Sequence, residues 1–161
     1  VIYHYFGLVF GFLRRRVVLV SAHLDVPGAH AAVWAGCNAA ENKSWVQGGV
    51  FLDDARALTP SVYIEEKGPD VRNGYQLYSW PMARFGVPVH VTLTRRRRTH
   101  QWRVEVKWKE QDVPGRLVTR SKRSQWIEVR NPTIDADLEL LGPSRAVARI
   151  GYRLVTGVGK K

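Results

Sequence analysis

The chain has 161 residues, 45% of them hydrophobic and 24% charged, enough for one domain with a packed core and too few for two comfortable ones. Twenty-five Lys and Arg against fourteen Asp and Glu leave a formal net charge of +11, which favours acidic partners such as nucleic acid or an anionic surface or polymer. A single cysteine, Cys37, excludes an intrachain disulfide framework.

Val1 to Leu13 is apolar and aromatic and runs into Arg14-Arg15-Arg16. The run is shorter than the roughly 20 residues a spanning helix needs. Its charges follow the apolar part, the reverse of a signal peptide's order. It is read as an edge or sandwich strand, with a trimmed membrane segment as the alternative, and no membrane span is expected. From there on, short runs of apolar, β-branched and aromatic residues are separated by Gly, Pro, Asn and Asp, the pattern of an all-β sandwich or barrel. Strands are predicted over 3–13, 16–24, 31–37, 45–52, 61–66, 74–80, 87–94, 101–108, 116–119, 125–129, 134–141 and 146–155. The economical architecture is one domain, 1–161, of about a dozen strands in two packed antiparallel sheets, with a flexible tail at 156–161.

Within these runs the period of two assigns faces. Val87, Val89, Val91 and Leu93 fall together, and so do Trp102, Val104, Val106 and Trp108, with Arg103, Glu105 and Lys107 opposite. These are half-buried strands with one wet side. Thr94 to His100 should be a protruding basic hairpin tip carrying Arg95, Arg96, Arg97 and Arg98. The strand around Trp45 puts Trp45, Gln47 and Gly49 on one face and Val46, Gly48 and Val50 on the other. An amide on an aromatic face needs partners if it is buried. Gln47 is therefore either a satisfied core amide or part of a groove.

Familiar catalytic signatures are missing: there is no Gly-rich phosphate loop, no Gly-x-Ser-x-Gly and no His-Glu-x-x-His. The five histidines match no metal-ligand spacing, so neither metal nor cofactor is expected. Cys37, in an apolar strand, reads as a small hydrophobe.

Three stretches, in order, resemble the glutamic peptidases (the eqolisins). They are Ala32-Val33-Trp34-Ala35-Gly36, Trp45-Val46-Gln47-Gly48-Gly49 and Asp137-Leu138-Glu139-Leu140-Leu141-Gly142-Pro143. Tyr63-Ile64-Glu65-Glu66-Lys67-Gly68-Pro69 is similar to a fourth, and together they cover about 21–155. The resemblance implies a two-sheet, concanavalin A-like jelly roll and a secreted acid endopeptidase. Its dyad would be Gln47 and Glu139, with a polypeptide substrate bound by Trp34, Trp45, Tyr63, Glu66, Tyr75 and Asp137. Glu139 would act as general base on water and Gln47 would donate to the oxyanion. The sequence departs from the family at Ile64 and Leu141. Ser124-Gln125-Trp126-Ile127-Glu128 competes for the glutamate segment, and in that alignment Gln125 replaces the acid and the chain is inactive. By alternation alone, Asp137 and Glu139 are solvated while Leu138 and Leu140 are core.

Two other readings stand beside it. Trp34, Trp45, Tyr63, Tyr75 and Trp80, with Gln and Asn, suit a carbohydrate-binding sheet without catalysis, or else a sandwich core. The basic runs, Arg95 to Arg98 among them, could track a polyanion, with Trp102, Trp108 and Trp126 stacking bases; alternatively they only guard sheet edges.

Overall fold

Alternation at period two lets a strand bury one face and wet the other, and the described residues contain eleven strands. The computed structural model describes residues 17–24, 30–41, 43–52, 59–82, 87, 89–96, 98–141 and 148–154. The strands are β1 (Val17–Leu24), β2 (His30–Ala39), β3 (Ser44–Leu52), β4 (Ser61–Lys67), β5 (Tyr75–Pro81), β6 (Val89–Arg95), β7 (Gln101–Val113), β8 (Arg116–Arg123), β9 (Ile127–Glu128), β10 (Thr133–Leu141) and β11 (Ala148–Leu154). Each overlaps a strand expected from the sequence. The remaining expectation, 3–13, lies outside the described residues, as do Arg14 to Arg16 and the tail.

The strands form two antiparallel sheets packed as a sandwich, consistent with a jelly-roll-like fold. One runs β11-β1-β6-β7-β8, with β9 also on β7; the other runs β10-β2-β3-β4-β5. Between them lie Val46, Val50, Val62 and Ile64 from one side and Val89, Val91, Leu93, Trp102, Val104, Val106 and Trp108 from the other. At Gly48 the two sheets pack tightly. A methyl group there would sit 2.7 Å from Val106 Cγ1 and 3.1 Å from the Tyr63 carbonyl oxygen, so only glycine fits without repacking.

Two local departures have physical causes. β7 runs on to Val113 and turns through Pro114 and Gly115, where φ is +83°, an angle glycine adopts at little cost. β9 shrinks to Ile127–Glu128 because the residues before it bond elsewhere. Ser124 N–H donates to the Val104 carbonyl (2.9 Å), and Val104 N–H donates back to Ser124 Oγ (2.9 Å). Gln125 N–H donates to Glu66 Oε1 (2.9 Å). This segment straps one end of the sandwich. Among the described residues no helix is long and apolar enough to cross a membrane.

Candidate functional site: a groove on the outer face of the five-stranded sheet

Residues directly opposite one another in an antiparallel ladder share a face, so the register converts the sequence into rows. One row across the outer face reads Thr133, Asn38, Trp45, Lys67, Tyr75, and the next reads Asp135, Gly36, Gln47, Glu65, Leu77. Where these rows meet the turn after β2, a groove of about 520 Å³ opens. Asn38, Ser44, Trp45, Gln47, Glu65 and Lys67 are among its lining residues. That volume lies within the roughly 300–1,000 Å³ typical of ligand sites.

Gly36 lets β2 lie close against Gln47 at the border of this groove. A methyl group at that position would lie 2.5 Å from Gln47 Cβ and 2.9 Å from the Val46 carbonyl oxygen. With only hydrogen there, Gln47 packs directly against the β2 backbone and its position is fixed. Its Nε2 donates to Glu65 Oε2 at 2.6 Å, and Tyr75 also hydrogen-bonds to Glu65. Burial, the charge on Glu65 and that hydrogen bond together hold the Tyr75 hydroxyl above its ordinary pKa, so it meets Glu65 as a donor. Trp45 stands beside them, edge-on to Tyr75 with ring centroids 6.4 Å apart. The Lys67 ammonium lies 4.4 Å from the centroid of the Trp45 ring. At the far side Asn38 Nδ2 donates to Asp135 Oδ2 (2.9 Å).

The residues expected from sequence divide as follows. Gln47 and Trp45 line the groove and Tyr75 joins it through Glu65. Trp34 and Tyr63 stand in the next row, with Asp137 at its end, in the order Asp137, Trp34, Gly49, Tyr63. Tyr63 offers no surface to a ligand: it is 5% exposed, its ring edge-on to Phe51 at 5.3 Å. Glu66 needs the clearest correction. It is 1% exposed and points into the sandwich, because it is opposite Val46 rather than Gln47. Trp80 likewise takes the inner side, opposite Val62.

The expected dyad is not brought together. Glu139 is opposite Ala32, and Ala32 is opposite Phe51. This places Glu139 two strands and four residues along from Gln47, about 17 Å between Cα atoms by standard strand spacings. The acid beside Gln47 is Glu65. Gln125, the rival for the acid position, is exposed on the end strap with its backbone on Glu66.

Sequence reasoning missed Glu65, Lys67 and Asn38, although the signal was present. Tyr63, Glu65 and Lys67 are spaced by two, as are Trp34, Gly36 and Asn38, so accepting Tyr63 and Trp34 on a face carried the others with them. Cys37 is buried on the opposite side of its strand. Burial pushes its thiol far up, out of the range of a reactive thiolate. Among the described residues no cluster of three His, Cys, Asp or Glu is placed to hold a metal. No family model, curated protein or solved structure matches the chain.

Proposed function

We propose that this groove binds a carbohydrate and that the chain is a ligand-binding β-sandwich. The observation that carries the reading is the line Gln47–Glu65–Tyr75 beside Trp45. Glu65 keeps lone pairs beyond the two donors it accepts, and Gln47 keeps one N–H and its carbonyl. Together with Asn38 they offer planar, fixed donors and acceptors next to an aromatic ring, the combination that recognises a ring bearing several hydroxyls. Preorganised polar groups lower the cost of ordering a site on binding.

Tryptophan fluorescence and calorimetry against a panel of neutral and acidic oligosaccharides test it. Saturable binding is expected, weakened tenfold or more by Gln47→Ala and by Glu65→Ala and unchanged by Glu139→Ala. If no oligosaccharide binds at millimolar concentration, the reading is overturned.

A second reading, peptide-bond hydrolysis on the glutamic peptidase pattern, is favoured by the 2.6 Å contact between an amide donor and a carboxylate. Here the base would be Glu65: it would take a proton from the attacking water while the free Gln47 N–H met the developing oxyanion, then return that proton to the amine that leaves as the C–N bond breaks. This form of the idea predicts cleavage of denatured protein at acid pH, lost in Gln47→Glu and Glu65→Gln and retained in Glu139→Ala.

A further inference from the structure

The groove leaves much of the positive charge unexplained, and so do two parallel rings on the other side of the sandwich. Among the described residues β5 and β8 are the outermost strands of their sheets, and they lie on the same side, since β4 packs over β7. Their inward residues face the gap between the edges. From β5 come Gln76, Tyr78 and Trp80, opposite Glu66, Ile64 and Val62. From β8 come Val118, Arg120 and Lys122, opposite Glu110, Trp108 and Val106.

Tyr78 and Trp80 are stacked, 6.3 Å between centroids and 12° between planes. Trp80 in turn stacks on buried Trp108 at 6.4 Å and 28°. The ladder is thus anchored in the core at one end and open at the other, where Tyr78 is 42% exposed. Lys122 lies over the Trp80 ring, 5.3 Å from its centroid, and has no carboxylate partner among the described residues. Arg116 is exposed on the same strand, whereas Arg123 takes the outer face, held by Glu105 at 2.9 Å. Arg120 already has Glu110 at 3.0 Å and Asp112 at 3.8 Å, so it is the least available cation.

We infer that this edge cleft binds single-stranded nucleic acid, with bases stacking on Tyr78 and phosphates meeting Lys122 and its basic neighbours. Stackable rings beside unpaired cations match the two repeating parts of such a strand. A duplex hides its base faces and could meet only the charges. The amide of Gln76 on the same row already donates to the Arg72 carbonyl at 3.1 Å, so little sequence preference is expected. Trp102 and Trp108, which the sequence offered as stacking rings, are 3% and 4% exposed and serve the core. An acidic peptide adding to the outermost strand β8 is the rival occupant, since edge strands accept a further strand.

The test is fluorescence anisotropy of a labelled 20-nucleotide oligothymidylate with the full chain, from 50 to 300 mM salt. Binding should weaken steeply with salt and quench tryptophan emission. Tyr78→Ala should lower affinity about 5- to 150-fold, the loss of one stacked base, while Tyr78→Phe should leave it unchanged. Lys122→Ala should weaken binding and flatten the salt slope by about 0.7. Circular dichroism melting controls for folding of each variant. Equal affinity for a duplex or for heparin, or wild-type affinity in a folded Tyr78→Ala protein, overturns the inference, as does full displacement by a polyglutamate peptide at equal concentration.

Discussion

The outer faces of the two sheets are both polar, yet they use polarity differently. On the six-stranded sheet Glu105 accepts from Ser121 Oγ at 2.7 Å and Arg123 Nε at 2.9 Å, with Lys107 Nζ at 3.4 Å. Long side chains of opposite charge lie across the strands and close over one another, leaving a solvated surface. On the five-stranded sheet the polar pair Gln47–Glu65 has glycine on its flank at Gly36. The glycine lets β2 pack closely against that pair, and the groove opens beside it, along Asn38, Trp45 and Lys67. Charge content does not separate these faces; the difference is a small residue next to a fixed hydrogen-bonded pair.

Neighbouring glutamates give the sharpest way to break that comparison. Glu65 serves the groove, whereas Glu66 is buried and its Oε1 holds the Gln125 N–H at 2.9 Å. Glu66→Ala should cost about 2–4 kcal/mol of stability through the cavity and the lost hydrogen bond, measured by urea denaturation. Glu65→Ala should cost less, about 1 kcal/mol, since Glu65 is only half-buried and loses hydrogen bonds at the groove, while losing binding. Similar stability losses in both variants would mean the two faces are not distinct in the way the register implies.

That alternation was partly legible in the sequence. β6 and β7 declare their buried faces through Val89-Val91-Leu93 and Trp102-Val104-Val106, because a strictly apolar set at spacing two has one physical solution. The face of Gln47 was legible for the same reason. Its partner was not, since register between β3 and β4 is fixed by contacts across the whole sheet. Choosing Glu66 alongside Tyr63 ignored parity, as the two are three residues apart. The distance to Glu139 was hidden too: β10 joins the sheet beyond β2, a crossover no local pattern announces. In the hairpin tip, composition suggested free arginines, but Arg95 Nε donates to the Thr99 carbonyl at 2.8 Å and Arg96 Nη1 to Gln101 Oε1 at 3.2 Å. Two of the four therefore clamp the turn.

Crowding Gln47 from Gly36 should come next in size. Gly36→Ala places a methyl group 2.5 Å from Gln47 Cβ, which must displace Gln47 or spread β2 from β3. A cost of about 1–3 kcal/mol is expected, together with lost ligand binding. The two measurements must move together; a stabilised Gly36→Ala protein that binds normally would show that the glycine does not shape the groove. Gln47→Ala, by contrast, frees Glu65 from one donor without crowding anything. It should weaken binding about tenfold and leave the melting temperature within a few degrees.

The smallest effect belongs to the other face and turns on pH. Burial pushes the Glu105 carboxyl up, but hydrogen bonds from Ser121 and Arg123 and the charge of Lys107 more than offset it and leave it below its ordinary value. A carboxylate whose pKa is depressed on folding stabilises the folded state above its unfolded pKa. That contribution fades as pH falls through the folded pKa. Glu105→Gln should therefore destabilise the protein at neutral pH by about 0.5 kcal/mol, kept small because water and salt screen partners that extend into solvent. The deficit should shrink as acid titrates the wild-type carboxyl, and adding salt at neutral pH should narrow it as well. Denaturation curves at pH 7 and pH 3 measure the difference. An unchanged gap at both would mean that the network acts through shape and hydrogen bonding alone, and the face would then resemble the groove more closely than its charges suggest.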